Sequence, residues 1–340
     1  MRIGIDARKI ADYGIGTYIR GLLGGLAKIG GEERYVVLAP ASARELVPSP
    51  FEHVVVDAPH YSFRELFIMS RAIERARLNL FHAPHYVIPF THCPIVVTIH
   101  DLIHLRQKLQ NRLYARVMIG RAARKSVRIL TVSESVKRQI IRHFHCDEEK
   151  IVVTANGVDE IFRASEPSRS PAHYFLYVGN DKPHKNVGRL VEAFESVRAE
   201  RRDVSLVLAG ARFRRFGTRE GVLTPGFVGA QELSSLYRNA FALVMPSLEE
   251  GFGLPALEAM SSGAAVITSN AEALVEITAD AALHVDAMST TALAEAMLRV
   301  CRDDALRVGL ASRGIARARD FTWRACAEET RRVYREALSF

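Results

Sequence analysis

Cysteine is scarce in this sequence and tryptophan occurs once. The four cysteines, Cys93, Cys146, Cys301 and Cys326, lie far apart with no CxxC pair. That argues against a disulfide scaffold and a structural zinc site, and fits a reducing compartment. No apolar run reaches the ~18 residues of a membrane-spanning helix. The opening MRIGIDARKI lacks the apolar stretch and cleavage site of a secretory signal, so the expected location is the cytoplasm. No internal repeat of solenoid period is present. With 48% hydrophobic and 25% charged residues over 340, the chain is neither disordered nor collagen-like. Its length suits one large domain or two of about 170 residues.

Acid is also missing from one long stretch. Residues 1–165 hold 24 Lys+Arg against 16 Asp+Glu, whereas residues 166–340 hold 22 of each, so the net charge of +8 belongs to the first half. Within it, Leu102–Arg142 carries eleven basic residues and one acid, Glu134. Such a block is either a solvated helix face or a contact for polyanions, an anionic membrane surface among them. No nucleic-acid motif accompanies it, and no nucleic-acid partner is expected.

Short apolar runs alternate with helical patterns nearly throughout. Strands are expected at Arg2–Asp6, Tyr35–Ala39, His53–Val56, Leu80–His82, Ile95–His100, Arg128–Val132 and Ile151–Thr154. Helices are expected between them at Thr17–Ile29, Phe63–Arg77, Asn111–Lys125 and Glu134–Phe144. Phe162–Ala172 (FRASEPSRSPA) has no period and reads as a linker. Strands then recur at Tyr174–Val178, Val204–Ala209, Gly226–Val228, Ala242–Met245 and Ala265–Thr268. The matching helices are Asn186–Ala199, Gln231–Asn239, Pro255–Ser261, Thr291–Val300 and Thr322–Ala337. The pattern predicts two open α/β parallel-sheet domains, with ligands at the carboxyl ends of the strands in a cleft between them.

Four segments could carry chemistry. Gly14-Ile15-Gly16-Thr17 follows the first strand and opens a helix. It is either a backbone cradle for phosphate or a tight turn. Thr98-Ile99-His100-Asp101 ends a buried-looking strand. His100 there could hydrogen-bond a hydroxyl or carry a proton, or it could pair structurally with Asp101. Gly179–Asn186 offers Lys182 or Lys185 to a phosphate, unless both are simply solvated. Pro246–Met260 runs from a strand through Gly251-Phe252-Gly253 into a helix, with Pro255 at its first turn. Its free N–H groups make a second anion cradle. Glu250 and Glu258 beside it suit sugar hydroxyls, or are surface glutamates near a turn. Together these segments suggest a nucleotide-sugar or sugar-phosphate site.

The run EGFGLPALEAM (Glu250–Met260), two glutamates with seven residues between, resembles the signature of retaining glycosyltransferases of family 4. YGIGTYIRGLL, TIHDLIHL, ILTVSESVKRQII, KIVVTANGVDEIF, YVGNDKPHKN, GFVGAQELSSLYRNA and GAAVITSN resemble other family segments, in family order. The resemblance covers nearly the whole chain and implies the GT-B fold, two Rossmann-like domains flanking a cleft. It implies an acceptor-binding domain at 1–165 and a nucleotide-sugar-binding domain at 166–340, the final helix being a candidate to pack back on the first.

The resemblance also implies roles. Glu250 would face the transferred sugar and Glu258 the ribose hydroxyls. Gly251, Phe252, Gly253 and Leu254 would line the donor, the N–H groups of Gly253 and Leu254 meeting its phosphates or sugar. Lys185 would neutralise the leaving diphosphate, Gly16 would approach it, and His100 would contact the donor sugar. Phe227 and Val228 would flank the base. Three positions depart from the family pattern: His184 stands for arginine, Asn180 for arginine or threonine, and Val275 for proline. The implied donor is GDP-mannose or a UDP-hexose such as UDP-glucose, with mannose favoured and no metal. The implied acceptor is a glycan or a lipid-linked one. Tyr61–Leu80, mixing Phe63, Leu66, Phe67, Ile68 and Met69 with arginines, would then sit near anionic headgroups at the inner face of the membrane, or form an ordinary amphipathic core helix. A GT-B epimerase or phosphorylase, or a non-catalytic polyanion binder, are the alternatives.

Overall fold

Arg2–Asp6 (RIGID) is an apolar run whose side chains are almost wholly buried, which a strand covered on both faces requires. Six more strands join it, and the computed structural model aligns all seven in parallel. The structure describes residues 1–58, 63–106, 109–164, 166–167, 172–211 and 213–339. The strands are β1 (Arg2–Asp6), β2 (Arg34–Ala39), β3 (Glu52–Val55), β4 (Leu80–Ala83), β5 (Ile95–Ile99), β6 (Arg128–Thr131) and β7 (Ile151–Val153). Their spatial order is β3-β2-β1-β4-β5-β6-β7. Helices α1 (Ile15–Ile29), α2 (Phe63–Arg75), α3 (Leu109–Lys125) and α4 (Glu134–Phe144) connect them. Alternate strand residues divide between two cores. Ile3, Ile5, Val37 and Leu80 face α1, while Val36, Leu38, Phe81 and Val97 face α2 and α3.

The second sheet repeats this plan. Strands β8 (Tyr174–Asn180), β9 (Ser205–Ala211), β10 (Val222–Gly226), β11 (Ala242–Met245), β12 (Ala265–Ser269) and β13 (Leu283–Val285) pair in the order β10-β9-β8-β11-β12-β13, all parallel. The helices are α5 (Val187–Glu200), α6 (Ala230–Asn239), α7 (Leu254–Ser261), α8 (Glu272–Thr278), α9 (Thr290–Arg302), α10 (Asp304–Ala318) and α11 (Trp323–Ala337). In each sheet the order reverses beside the first strand. This is the switch point at whose carboxyl end α/β sheets bind ligands.

Two compact units result, Met1–Gly157 with Thr322–Phe340, and Val158–Phe321. The chain passes between them upstream of the expected boundary at 165/166. Phe162 already packs on Tyr237 with ring centroids 5.8 Å apart, and the Ala164 N–H donates to Ser261 O at 2.8 Å. Of the expected linker, residues 165 and 168–171 lie outside the described ones. The last helix, α11, belongs to the first unit and packs against α1. Thr322 caps it, its hydroxyl accepting from Ala325 N at 3.0 Å.

The structure corrects two expectations. The strand placed at Gly226–Val228 runs instead over Val222–Gly226, pairing Val222 with Leu206 and Leu223 with Val207. It is an edge strand, where Pro225 costs no ladder bond. Helices α8 and α10 and strand β13 were not expected. No Gly or Pro separates α9 from α10, because Asp303 ends one and caps the other, accepting from Leu306 N at 2.8 Å. Of the two readings of α2, the core helix holds for Leu66, Met69, Ala72 and Ile73, which are buried, while Phe67 is exposed. Tyr61 and the Phe63 side chain lie outside the described residues.

Candidate functional site

In the second unit, two loops leave the carboxyl ends of β8 and β11, the strands flanking the switch point. The first makes a single helical turn over Pro183–Lys185 and turns left-handed at Asn186 (φ 58°) before α5. The Asn186 side chain fixes it, its amide donating to Pro246 O at 3.1 Å and to Ala287 O at 2.8 Å. The second loop, Pro246–Gly253, is tied to the first by Leu248 N donating to His184 O at 2.8 Å. These bonds bring the Lys185 ammonium to Glu250, Nζ to Oε1 at 2.6 Å, with both side chains largely buried. One of the three ammonium donors is spent on this bond.

Gly253 precedes α7 with φ 113° and ψ 48°, a conformation that disfavours any side chain. A Cβ there would meet Leu274 Cδ2 at 2.6 Å. The N–H groups of Gly253 and Leu254 have no acceptor among the described residues, as the first turn of a helix leaves them. Pro255 occupies the first turn. Glu258, partly buried one turn on, accepts from the Tyr237 hydroxyl at 2.8 Å. Burial pushes its carboxyl up to about 7; the Tyr237 bond pulls it down and the Asp159 charge pushes it further up. Phe252 is buried edge-on against Phe321, ring centroids 5.9 Å apart. Val228 is buried too, whereas Phe227 is 68% exposed just beyond β10. Lys182 precedes the turn at Pro183 and lies exposed.

In the first unit, His100 follows β5. Its Nε2 donates to Pro84 O at 3.0 Å, which a carbonyl demands. Burial holds its pKa down, to about 4, against the opposing pull of Pro84 O and Asp101. The ring is therefore neutral at pH 7, with the Nδ1 lone pair available to a donor. Asp101 does not hydrogen-bond it; its carboxylate accepts from Ile103 N at 3.0 Å. The Tyr18 ring stands edge-on to His100 at 4.7 Å. Behind it, Tyr18 Oη lies 3.0 Å from Thr98 Oγ1, Thr98 Oγ1 2.7 Å from His82 Nε2, and His82 Nδ1 2.6 Å from Tyr334 Oη. Gly14 (φ 69°) begins α1. Gly16 is fixed by packing, since a Cβ would lie 2.6 Å from Ile10 O and 2.9 Å from Lys9 O.

Sequence reasoning missed Tyr237, Asn186 and a buried ionic cluster at the first switch point. Arg8 bonds Asp6 at 2.6 Å and Glu65 at 2.7 Å, and His85 Nε2 lies 3.2 Å from Asp6. Burial raises the Asp6 carboxyl, but Arg8 and His85 outweigh it and hold it far below the carboxylate range. Charged residues directly after an apolar strand, as in RIGIDAR, were the available signal. No group of three or more metal-ligating side chains occurs among the described residues.

Residues 13–161 match the family model described as Glycosyltransferase Family 4, and residues 158–317 match Glycosyl transferases group 1. O-antigen chain mannosyltransferase B of Escherichia coli is 31% identical over 288 residues, 75% of this chain and 74% of its own length. The chain belongs to glycosyltransferase family 4. The MMP alpha-(1->4)-mannosyltransferase of Mycolicibacterium hassiacum is another relative, 30% identical over 72% of this chain and 66% of its own. Sucrose-phosphate synthase of Thermosynechococcus elongatus superposes with TM-score 0.81 at 19% identity, over 100% of this chain and 99% of its own. Anabaena HepE, solved with UDP and glucose, gives 0.78 at 17%, over 98% and 99%. These likenesses carry the fold, GT-B, and not the chemistry. Neither the epimerase or phosphorylase reading nor the non-catalytic one is favoured by these relatives.

As a family 4 glycosyltransferase, the chain departs from the motif at three positions whose surroundings are now visible. His184 contributes its carbonyl to the loop tie. Asn180 accepts from the Tyr177 hydroxyl through its own carbonyl, at 2.9 Å. Val275 lies partly exposed on α8, a helix with no proline.

Proposed function

We propose that this glycosyltransferase moves a hexose, mannose by preference, from a nucleoside-diphosphate sugar to a glycan or lipid-linked acceptor, with retention and without a metal. The observation that carries this is the Lys185–Glu250 pair beside the open first turn of α7. It sets a cation and two unspent N–H groups on the loops that leave the neighbouring carboxyl ends of β8 and β11, which suits a diphosphate. Glu258 then takes the ribose hydroxyls and Glu250 the transferred sugar. Gly251, Gly253 and Leu254 present backbone to the donor, and Phe227 offers an exposed ring to the base. Phe252, its side chain buried, belongs to the same donor-lining loop, and Val228 stands next to Phe227 beside the base. The mannose preference rests on the mannosyltransferase relatives; a UDP-hexose is the competing donor, since HepE was solved with UDP and glucose.

The bond from the anomeric carbon to the diphosphate oxygen breaks, and the bond to the acceptor oxygen forms on the same face. The acceptor proton passes to the departing phosphate oxygen. Lys185 and the α7 N–H groups stabilise the charge that grows on that oxygen. In the first unit Gly16 is assigned to the diphosphate. His100, neutral and open at Nδ1, is assigned to a sugar hydroxyl, as acceptor and not as acid. The protein would act at the inner face of the cytoplasmic membrane. The test is incubation with GDP-mannose or UDP-glucose and an octyl α-mannoside, with and without EDTA, followed by NMR of the product. An α-linked product, formed equally with EDTA, is expected. A β-linked product would overturn retention, and loss with EDTA would overturn metal independence.

A further inference from the structure

The arginine-rich helix α3 holds an apolar face that its fold does not use. Leu109, Leu113 and Val117, spaced by four on one stripe, are 68%, 61% and 54% exposed. The same spacing leads to Arg121, whose guanidinium lies 4.3 Å over the Phe90 ring and donates to Pro89 O at 2.9 Å. Phe90 in turn lies 6.1 Å, between ring centroids, from Phe67 of α2. Phe90 and Phe67 are 53% and 60% exposed. Single exposed apolar residues are commonplace, but five in one connected band mark an interaction surface.

Its charge says what kind. Residues 102–133 contain no Asp or Glu, and Arg112 and Arg116 flank the stripe, both exposed. Neither makes an ion pair among the described residues. An isologous dimer through this stripe would set these arginines against their own copies, a repulsive match. Apolar side chains level with unpaired cations fit the headgroup boundary of an anionic bilayer. The helix also starts from the carboxyl end of β5, the end that carries His100.

We infer that the band Leu109, Leu113, Val117, Phe90 and Phe67, with Arg112 and Arg116, docks the first unit on an anionic lipid surface. This deepens the membrane association proposed above and moves its centre from α2, which contributes Phe67 alone, to α3. The docking would hold the carboxyl end of the first sheet close to the lipid, where a lipid-linked acceptor is presented.

The experiment is co-sedimentation of the full chain with phosphatidylcholine vesicles, and with vesicles also containing phosphatidylglycerol, at low and raised salt. Binding to the anionic vesicles only, weakened by salt, is expected. Leu113→Ser/Val117→Ser and, separately, Arg112→Gln/Arg116→Gln should each lower the binding constant roughly tenfold or more. Both change exposed side chains, and circular dichroism and melting should match wild type. Three results would each overturn the inference: binding unchanged in both variants, equal binding to neutral vesicles, or a dimer by light scattering that Leu113→Ser/Val117→Ser dissolves while no vesicle is bound. No donor is present in this assay. Its failure leaves the transfer reading standing, and failure of transfer leaves the docking standing.

Discussion

Lys185 and Glu250 are 65 residues apart in sequence and 2.6 Å apart in space. Lys185→Ala should lower kcat by about a hundredfold or more, the scale of losing one charge stabiliser. It also leaves the Glu250 carboxylate without its cation, so the melting temperature should fall by a few degrees; Lys185→Arg separates the two effects. Full turnover in Lys185→Ala would remove the assigned role. Glu258 gives a pH signature. Its carboxyl is raised from 4.5 to about 7, so its contribution to stability is fully present below pH 4.5 and lost as pH rises to about 7. Its hydroxyl-accepting, ionised form prevails only above that value. Nucleotide affinity by calorimetry should therefore weaken from pH 8 to pH 6 in wild type and stay level in Glu258→Gln. Equal slopes would show that Glu258 does not meet the nucleotide. At this scale the motif residues were legible because glycine, proline and charge at a strand end leave few readings. Tyr237, which holds Glu258, was not: a tyrosine on a helix face carries no mark of its partner.

Between elements, contact depends on the absence of side chains. A Cβ on Gly25 of α1 would lie 2.3 Å from the Trp323 carbonyl oxygen, and one on Gly21 would strike the Trp323 ring at 2.1 Å. Gly25→Ala should cost about 1–3 kcal/mol in urea unfolding, because backbone cannot yield as a side-chain end can. An unchanged midpoint would mean that α11 is seated otherwise. Gly253→Ala should lose nucleotide binding and about 1–2 kcal/mol, from the positive φ alone. Most strands and helices could be read from apolar runs and their period. The failures have local causes. At β10 an exposed aromatic after glycine, Phe227, imitates strand composition, and α10 follows α9 through one shared aspartate. The amphipathic pattern of α2 is the same whether its apolar side meets a core or a lipid, and only its neighbours decide.

Across the molecule, the two sheets share one strand order, so each unit presents its chemistry at the same topological place. The repetition was legible in the alternation of apolar runs and helices. The buried ionic cluster at the first switch point and the chain from Tyr334 to Tyr18 were not, since both join residues distant in sequence. That chain has a consequence in acid. Burial holds His82 down to about 3 and His100 to about 4, so the unfolded chain takes up to two more protons between pH 6.5 and those values. Their contribution is present above pH 6.5 and lost as pH falls toward 4. Urea midpoints should drop over that range, and the drop should be shallower in His100→Gln; equal slopes would contradict the burial of His100. The central claim, a nucleoside-diphosphate site at the second switch point, is met most directly by titrating GDP and UDP into wild type, Lys185→Ala and Glu258→Gln by calorimetry at pH 8. The account predicts a saturable heat with one nucleotide in wild type, weakened about tenfold or more in both variants. Equal affinity in all three proteins, or no binding by folded wild type, would contradict it.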